Sequence, residues 1–158
     1  MKEYRFETDS TEQSLKRLQY LVDTIPDLLK NIPELEFSNK PAPDKWSKKE
    51  IIGHLIDSAT NNHHRFVRAQ FEDKPTILYN QDQWNDHSYY PQMESRHVIV
   101  FWEMYNRHII ELIKHMPKTQ LEKVCLMSDG NNYTLAWLFD DYVRHAEHHL
   151  RQVLPSSM

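Results

Sequence analysis

The chain has 158 residues, of which 39% are hydrophobic and 27% are charged, with 10 histidines, 2 glycines and 1 cysteine. This length predicts one domain over residues 1–158, large enough to fold without a disulfide or a metal. A single cysteine excludes an internal disulfide and a multi-cysteine zinc finger, and two glycines leave no room for the glycine-rich loops that bind nucleotide phosphates.

The charge balance and the N-terminal segment indicate which kinds of partner the protein lacks. The formal net charge is −4, whereas domains that bind nucleic acid are usually basic, so we expect no nucleic-acid partner. No run of 18 apolar residues occurs, and residues 1–7 lack the apolar core of a signal peptide. We therefore expect no membrane partner and a cytoplasmic location.

The first helix is predicted over residues 11–31, where apolar residues recur at steps of three and four. Pro26 should kink this helix or split it near Ile25, because proline cannot donate the helical hydrogen bond and its ring crowds the preceding turn. A stiff loop is expected over residues 32–43, where three prolines restrict the backbone.

The second helix begins with the capping box Ser47-Lys48-Lys49-Glu50, in which the serine and glutamate side chains each satisfy a free backbone N–H. Its apolar periodicity fades near Phe71. Residues 72–92 are rich in Pro, Asn and Asp, which predicts a long loop. Loops longer than about 12–15 residues inside a compact domain are usually functional or mobile.

The third helix is predicted over residues 94–116, and Pro117 follows its end. Its expected buried stripe is Val98, Phe101, Tyr105, Ile109, Leu112 and Met116. A turn at Asp129-Gly130, between two very short strands, precedes a fourth helix over residues 135–153 with Thr134 as its N-cap. Four helices of about 20 residues, with no strand-rich region, predict an all-α four-helix bundle.

Histidines supply the candidate metal ligands. His145 and His149 are four residues apart and share one helical face, where two imidazoles can converge on a divalent cation. One such pair is close to what chance gives, but this pair lies near the buried stripe, where each ring needs a hydrogen bond or a metal. His54 of the second helix is a third candidate. Three neutral imidazoles with a fourth position for water are typical of a catalytic metal site, and hydrogen-bonded core histidines are the alternative.

Two groups of residues resemble the DinB/YfiT-like superfamily. The first group is Lys45-Trp46-Ser47-Lys48-Lys49-Glu50-Ile51-Ile52-Gly53-His54-Leu55-Ile56-Asp57-Ser58, with Asn61, Arg65 and Phe66. The second group is Thr134-Leu135-Ala136-Trp137-Leu138, Tyr142, His145, His148-His149 and Gln152-Val153. The segment Gln81-Asp82-Gln83-Trp84 also resembles the acidic-aromatic segment of the YfiT-like branch. The two groups stand in order, about 90 residues apart, and cover nearly the whole chain.

This resemblance implies an up-down-down-up bundle that holds a divalent metal, often nickel or zinc, through His54, His145 and His149. It also implies a homodimer and a small-molecule substrate. Several branches are thiol S-transferases that use bacillithiol, mycothiol or glutathione, and the YfiT branch has been described as metal-dependent hydrolases. We therefore expect a thiol S-transferase acting on electrophilic small molecules with a thiol co-substrate. A metal-dependent hydrolase and a non-catalytic metal-binding stress protein are the alternatives.

Five further residues have two interpretations each. Asp57 and Asp141, each one turn from a candidate ligand, orient an imidazole or serve as capping and salt-bridge groups. Arg65 binds a substrate carboxylate or lies solvated at a helix edge. Trp84 contacts substrate or packs on the protein, and His148 is functional or an ordinary surface residue.

Three residues are assigned to the core instead. Trp46 and Trp137 are expected to anchor the core rather than to form a substrate platform. Cys125 lies in the apolar run Val124-Cys125-Leu126, which is typical of a small buried hydrophobic residue and not of a nucleophile.

Overall fold

The computed structural model describes residues 9–155, so the two ends of the predicted domain 1–158 lie outside the described part. Four long helices are present: α1 (Asp9–Lys30), α3 (Lys48–Arg68), α5 (Ser95–His115) and α7 (Leu135–Val153). Shorter elements are α2 (Glu34–Ser38), α4 (Gln81–Ser88), α6 (Lys118–Leu121), a 3-10 turn (Tyr90–Gln92), and the strands β1 (Val124–Leu126) and β2 (Asn132–Thr134). The four predicted helices and the antiparallel strand pair are confirmed.

Side-chain contacts between the long helices set their directions. The contacts are Ser14 with Asp140 and Arg17 with Glu147 (α1 and α7), Phe66 with Phe139 and His54 with His145 (α3 and α7), and Lys49 with Met93 and His63 with Tyr105 (α3 and the α5 region). Along the contacts between α1 and α7, and along those between α3 and the α5 region, the residue numbers of both partners rise together. Along the contacts between α3 and α7, one number rises while the other falls. The helices therefore run up, down, down, up, as expected, and α3 packs antiparallel to α7.

The core contains apolar side chains from all four long helices, and α5 presents to it a face that overlaps the predicted stripe at Val98, Ile109 and Met116. Trp102, Ile109 and Ile113 are buried, whereas Phe101 is 46% exposed. Tyr105 and Leu112 of the predicted stripe are only half-buried. Tyr105 and Leu112 still pack against the core, so the prediction is wrong only at Phe101. The reason is that α5 has two neighbouring apolar stripes, and packing between α1 and α3 selects the one with Trp102. Within residues 9–155, no helix combines the length and apolar character needed to span a bilayer.

Pro26 does not split the first helix near Ile25, so of the two expectations, a kink or a split, the split is wrong. Helix α1 continues through this proline to Lys30. The missing N–H of Pro26 would leave the carbonyl of Val22 without its helical donor. The guanidinium of Arg107, on α5, donates to this carbonyl at 3.2 Å. A side chain from a neighbouring helix thus replaces the lost hydrogen bond.

The predicted loop over residues 72–92 contains helix α4 and the 3-10 turn. The prediction of a loop is therefore wrong for Gln81–Ser88 and Tyr90–Gln92. The side chain of Asn80 caps α4 by accepting from the N–H of Gln83 at 3.0 Å. Tyr89, in the left-handed region with φ 57°, ends it. Helix α4 is short and mostly polar and so lacks apolar periodicity. It is fixed to the beginning of α3 because the Asn85 amide donates to the Glu50 carbonyl at 2.8 Å.

Two N-caps fix the beginnings of the helices that carry the candidate ligands. The hydroxyl of Ser47 accepts from the Glu50 N–H at 3.2 Å, and the Glu50 carboxylate accepts from the Ser47 N–H at 2.8 Å. At α7, the hydroxyl of Thr134 accepts from the Trp137 N–H at 3.1 Å. Both predicted caps are confirmed. They determine where each helix begins and hence which face its histidines share.

Candidate metal site

The three candidate ligands meet between α3 and α7. One ligand nitrogen from each of His54, His145 and His149 lies within 4.8 Å of the others. The ring centroids are 5.0 Å apart for His54 and His145, 4.7 Å for His54 and His149, and 4.6 Å for His145 and His149. The antiparallel packing of α3 against α7 thus brings together residues 91 positions apart.

The surroundings of the three rings keep them neutral. Burial, followed by the nearby His145 and His149, lowers the pKa of His54 to about 3. Burial lowers the pKa of His145 to about 4, with smaller effects from neighbouring histidines, and it also lowers the pKa of His149. A histidine must be unprotonated to bind a metal, so the three side chains are in the protonation state that a ligand requires at neutral pH.

The spacing and chemistry of this donor set fit a divalent transition metal. Zn–N bonds of 2.0–2.1 Å in a tetrahedral site place neighbouring ligand nitrogens about 3.3 Å apart. The Nε2 atoms of His54 and His145 are 3.2 Å apart. A hydrogen bond between these two nitrogens also explains that distance. It does not explain why a third imidazole, that of His149, meets the same two rings.

The group is open on one side. His54 is fully buried, whereas His145 and His149 are half-buried and bring the group to the surface of the bundle. Structural metal sites are usually closed by four protein ligands, and catalytic sites use three and keep one position open. Three histidines at a solvent-facing edge match the second arrangement.

Gln152 and His148 lie beside the outermost ligand. The side-chain oxygen of Gln152 is 3.1 Å from Nδ1 of His149, and its side-chain nitrogen is 3.1 Å from Nε2 of His148. No sequence motif indicates a separate role for Gln152. The spacing of three residues from His149 on one helix was the available indication.

Neither carboxylate considered from the sequence is bonded to a ligand. The hydroxyl of Tyr90 donates to Asp57 at 2.6 Å, and the Asp141 carboxylate lies 3.6 Å from the guanidinium of Arg144. Among the described residues, the Nδ1 atoms of His54 and His145 are buried without a hydrogen-bond partner. The interpretation of Asp57 and Asp141 as orienting groups is therefore wrong in this structure.

Arg65 is neither solvated nor exposed to a substrate. Its side chain is buried, and two of its nitrogens donate to the carbonyl of Ile77 at 3.2 and 2.7 Å. A third nitrogen donates to the side-chain oxygen of Asn62 at 3.1 Å. Arg65 thus fixes the segment that leads into α4 against α3.

The aromatic ring at the site is that of Trp46, and not that of Trp84. Trp46 is half-buried, and its ring centroid is 4.9 Å from that of His54. Trp84, on α4, packs against Tyr79 at 5.5 Å. Cys125 is buried as predicted, and burial raises the pKa of its thiol to about 11, which does not suit a nucleophile.

The chain is similar to known proteins over almost its full length. Residues 12–153 match the family described as the DinB superfamily. A relative from Halalkalibacterium halodurans, named "Putative metal-dependent hydrolase", is 24% identical over 140 residues, which cover 88% of this chain and 81% of the relative. A second relative with a name of this kind, from Bacillus cereus, is 25% identical and covers 96% of this chain and 90% of its own length.

Two solved structures share the fold. YfiT from Bacillus subtilis, described as a probable metal-dependent hydrolase with an unusual four-helix bundle topology, superposes with a TM-score of 0.86 at 15% identity. It covers 98% of this chain and 90% of its own length. A mycothiol-dependent maleylpyruvate isomerase superposes with a TM-score of 0.73 at 13% identity over 89% of this chain and 59% of its own length. With the bundle topology and the family match over residues 12–153, these findings establish that the chain belongs to the DinB superfamily.

Proposed function

We propose that this protein is a metal-dependent enzyme that transfers a low-molecular-weight thiol to an electrophilic small molecule. The observation that carries the proposal is the convergence of His54, His145 and His149 at a solvent-facing edge of the bundle. Relatives named as metal-dependent hydrolases support the metal dependence. The mycothiol dependence of the isomerase that shares the fold supports a thiol as co-substrate.

The chain contributes three neutral nitrogen donors, one of which lies against the ring of Trp46. When bound, a divalent ion held by three neutral imidazoles keeps its positive charge and lowers the pKa of a thiol or water that reaches it. The ring of Trp46 covers His54, so solvent and substrate approach from the side of His145 and His149. In S-transfer, the thiol sulfur forms a bond to the electrophilic carbon. The bond from this carbon to the leaving group breaks, the leaving group takes the electron pair, and the thiol proton passes to solvent. With an epoxide, the bond that breaks is the ring C–O bond, and the opened oxygen takes the electron pair and a proton.

Hydrolysis is the second candidate, because the relatives are named as hydrolases. The same neutral donors suit either nucleophile, and imidazole binds zinc and nickel alike. We propose nickel or zinc as the metal. The two reactions differ in one requirement, since only S-transfer needs an added thiol.

The test uses full-length protein prepared without a histidine tag. Its metal content is measured by elemental analysis, and the protein is then loaded with zinc or nickel. Turnover of an electrophile such as a bimane or an epoxide is followed with and without glutathione or cysteine, and ester hydrolysis is followed without thiol. We expect thiol-dependent turnover, which the His149→Ala variant should lack.

Three outcomes decide between the candidates. Turnover that needs no thiol would replace the transferase with a hydrolase. Stoichiometric metal without either activity would indicate the non-catalytic metal-binding protein. Absence of bound metal in the loaded protein would overturn the proposal altogether.

We also propose a homodimer, on the resemblance to the superfamily alone. Light scattering coupled to size-exclusion chromatography measures the mass in solution directly. A mass twice that of the chain is the expected result, and a monomer at micromolar concentration would contradict it.

A further inference from the structure

We propose that Gln152 and His148 form a hydrogen-bonded chain that fixes the tautomer and orientation of His149, which makes Gln152 a positioning residue for the metal site. This inference rests on the proposed function in one respect, because it takes His54, His145 and His149 as the metal-binding group. The hydrogen-bond geometry itself is independent of any activity.

The donors and acceptors available determine which group donates in each hydrogen bond between His149, Gln152 and His148. The Gln152 side-chain oxygen can only accept, so Nδ1 of His149, 3.1 Å away, must carry the proton. Nε2 of His149 is then left with its lone pair. The Gln152 side-chain nitrogen can only donate, so Nε2 of His148, also 3.1 Å away, must accept. One amide therefore sets the protonation of both rings.

The opposite orientation of the amide is incompatible with metal binding. Turned over, Gln152 would present its N–H groups to Nδ1 of His149, and the proton of that imidazole would move to Nε2. Nε2 would then have no lone pair for a metal. By accepting from the amide nitrogen, His148 stabilises the productive orientation, which gives this residue a role although it is exposed and is not one of the three ligands.

His149 needs such support more than the other two ligands do. His54 is fully buried and lies against Trp46, so packing limits the rotation of its ring. His149 is half-buried, close to the end of α7. Among the described residues, the Nδ1 atoms of His54 and His145 lack a hydrogen-bond partner, so of the three ligands it is His149 whose Nδ1 is held by a hydrogen bond.

The first test reads the tautomer of His149 in the metal-free protein by long-range proton–nitrogen NMR. We expect the Nδ1–H tautomer in the unmodified protein and in Gln152→Glu, because a carboxylate also accepts from Nδ1–H. Gln152→Ala should shift His149 toward Nε2–H, the tautomer that free imidazole side chains favour in water. An Nδ1–H population that is unchanged in Gln152→Ala would overturn the inference.

The second test measures zinc affinity by competition with a chelator. Loss of a hydrogen bond that orients a ligand typically weakens metal binding 10–100-fold. We therefore expect Gln152→Ala to raise the zinc Kd by roughly 10–100-fold, and Gln152→Glu to keep it near that of the unmodified protein. His148→Ala should have a smaller effect than Gln152→Ala, because the amide remains but its orientation is no longer fixed.

Matched controls separate this inference from the proposed function. Gln13→Ala removes an exposed glutamine from α1, a helix that supplies none of the three ligands, and should leave the zinc Kd unchanged. Equal affinities for Gln152→Ala and Gln13→Ala would contradict the positioning role while leaving the metal site intact. If the unmodified protein binds no zinc, the proposed function fails, and the NMR measurement still decides whether Gln152 sets the tautomer of His149.

Discussion

Asp57 is a buried carboxyl group in which, within residues 9–155, only one of the two oxygens accepts a hydrogen bond. Its Oδ1 accepts from the hydroxyl of Tyr90 at 2.6 Å, whereas its Oδ2 is buried without a hydrogen-bond partner among the described residues. Burial raises the pKa of Asp57 to about 6, although hydrogen bonds from Tyr90 and Ser88 act in the opposite direction. Since aspartate in an unfolded chain has a pKa of about 3.9, the folded protein binds a proton more tightly here than the unfolded chain does.

The sign of the resulting pH dependence follows from that difference. Between about pH 4 and pH 6 the folded state holds more protons at Asp57 than the unfolded state, so this residue lowers stability as pH rises. Two pKa units correspond to roughly 2–3 kcal/mol. We therefore expect the stability of Asp57→Asn, relative to the unmodified metal-free protein, to increase by roughly 2–3 kcal/mol from pH 4 to pH 7.

Urea unfolding at both pH values measures this change. Asp73→Asn, at an exposed position, is the matched control and should show no such increase. A constant stability difference for Asp57→Asn across the pH range would show that Asp57 titrates alike in the folded and unfolded chain.

At the scale of elements, α1 depends on a hydrogen bond from its neighbour. Arg107 donates to the Val22 carbonyl, which Pro26 leaves without its helical donor. Pro26→Ala restores that donor, so Arg107→Met should destabilise the unmodified protein more than it destabilises Pro26→Ala. We expect the difference to be about 0.5–1.5 kcal/mol, the net contribution of one hydrogen bond.

Denaturant unfolding of the two single variants and the double variant gives this coupling energy. The contacts of Arg107 with Asp23 and Glu103 are lost in both backgrounds and cancel. Arg68→Met, which breaks the pair with Glu72, is the matched control and should show no coupling to Pro26. Additive effects of Arg107→Met and Pro26→Ala would mean that the bond to Val22 contributes nothing.

The packing of the 3-10 turn onto α3 depends on the absence of a side chain at Gly53. A Cβ at this position would overlap the ring of Tyr90, whose hydroxyl is bonded to Asp57. Gly→Ala in a helix interior usually stabilises by up to about 1 kcal/mol. Here we expect Gly53→Ala to destabilise by about 1–3 kcal/mol, the typical range for overpacking.

Removing the ring should reverse the sign of this effect. In a Tyr90→Ala background the added methyl group meets open space, so Gly53→Ala should then stabilise the protein. Chemical denaturation of the four proteins gives both values. A destabilising effect of the same size in both backgrounds would show that Tyr90 is not the residue that excludes a side chain at position 53.

The accuracy of the sequence-based expectations differs between elements for physical reasons. The helices with Ser47 and Thr134 as N-caps begin where predicted, because capping depends on local sequence. The buried face of α5 depends on the two helices that contact it, and no local pattern distinguishes Trp102 from Phe101. Helix α4 is held by contacts to α3 more than by its own periodicity, so it was expected to be a loop.

At the scale of the whole molecule, a bound metal should stabilise the bundle, because the ligands come from α3 and α7. A ligand that binds only the folded state stabilises it by roughly 2.7 kcal/mol when its free concentration is 100 times its Kd. We expect zinc to raise the Tm of the unmodified protein and of His115→Ala, an exposed histidine on α5. The Tm of His149→Ala should not respond to zinc.

Circular dichroism checks that His149 is needed for metal binding and not for folding. The helical signal of His149→Ala should equal that of the unmodified protein without metal, since the apolar core does not contain this residue. A loss of helical signal would show that His149 is needed for folding. An undiminished rise in Tm would show that the stabilising zinc binds elsewhere.

The candidate site was predictable in part. The spacing of His145 and His149 and the resemblance to a known superfamily indicated the three histidines, which the fold brings together. The partner of His149 was not predictable, because a glutamine has no distinctive pattern and the expected partners were carboxylates. The position of Trp46 against His54 depends on the path of the chain before α3, which no periodicity encodes.

The position of His149 near the end of α7 has a kinetic consequence. Helix ends open locally more often than helix centres, and such opening does not require global unfolding. Transient fraying that extends from the last turn to His149 would withdraw its imidazole, together with Gln152, while His54 stays in the core. Val153 and Leu154, both buried, oppose this fraying. We therefore expect the lifetime of a bound ion to depend on a few apolar contacts at one helix terminus, and exchange of metal with the surroundings to proceed while the rest of the bundle remains folded.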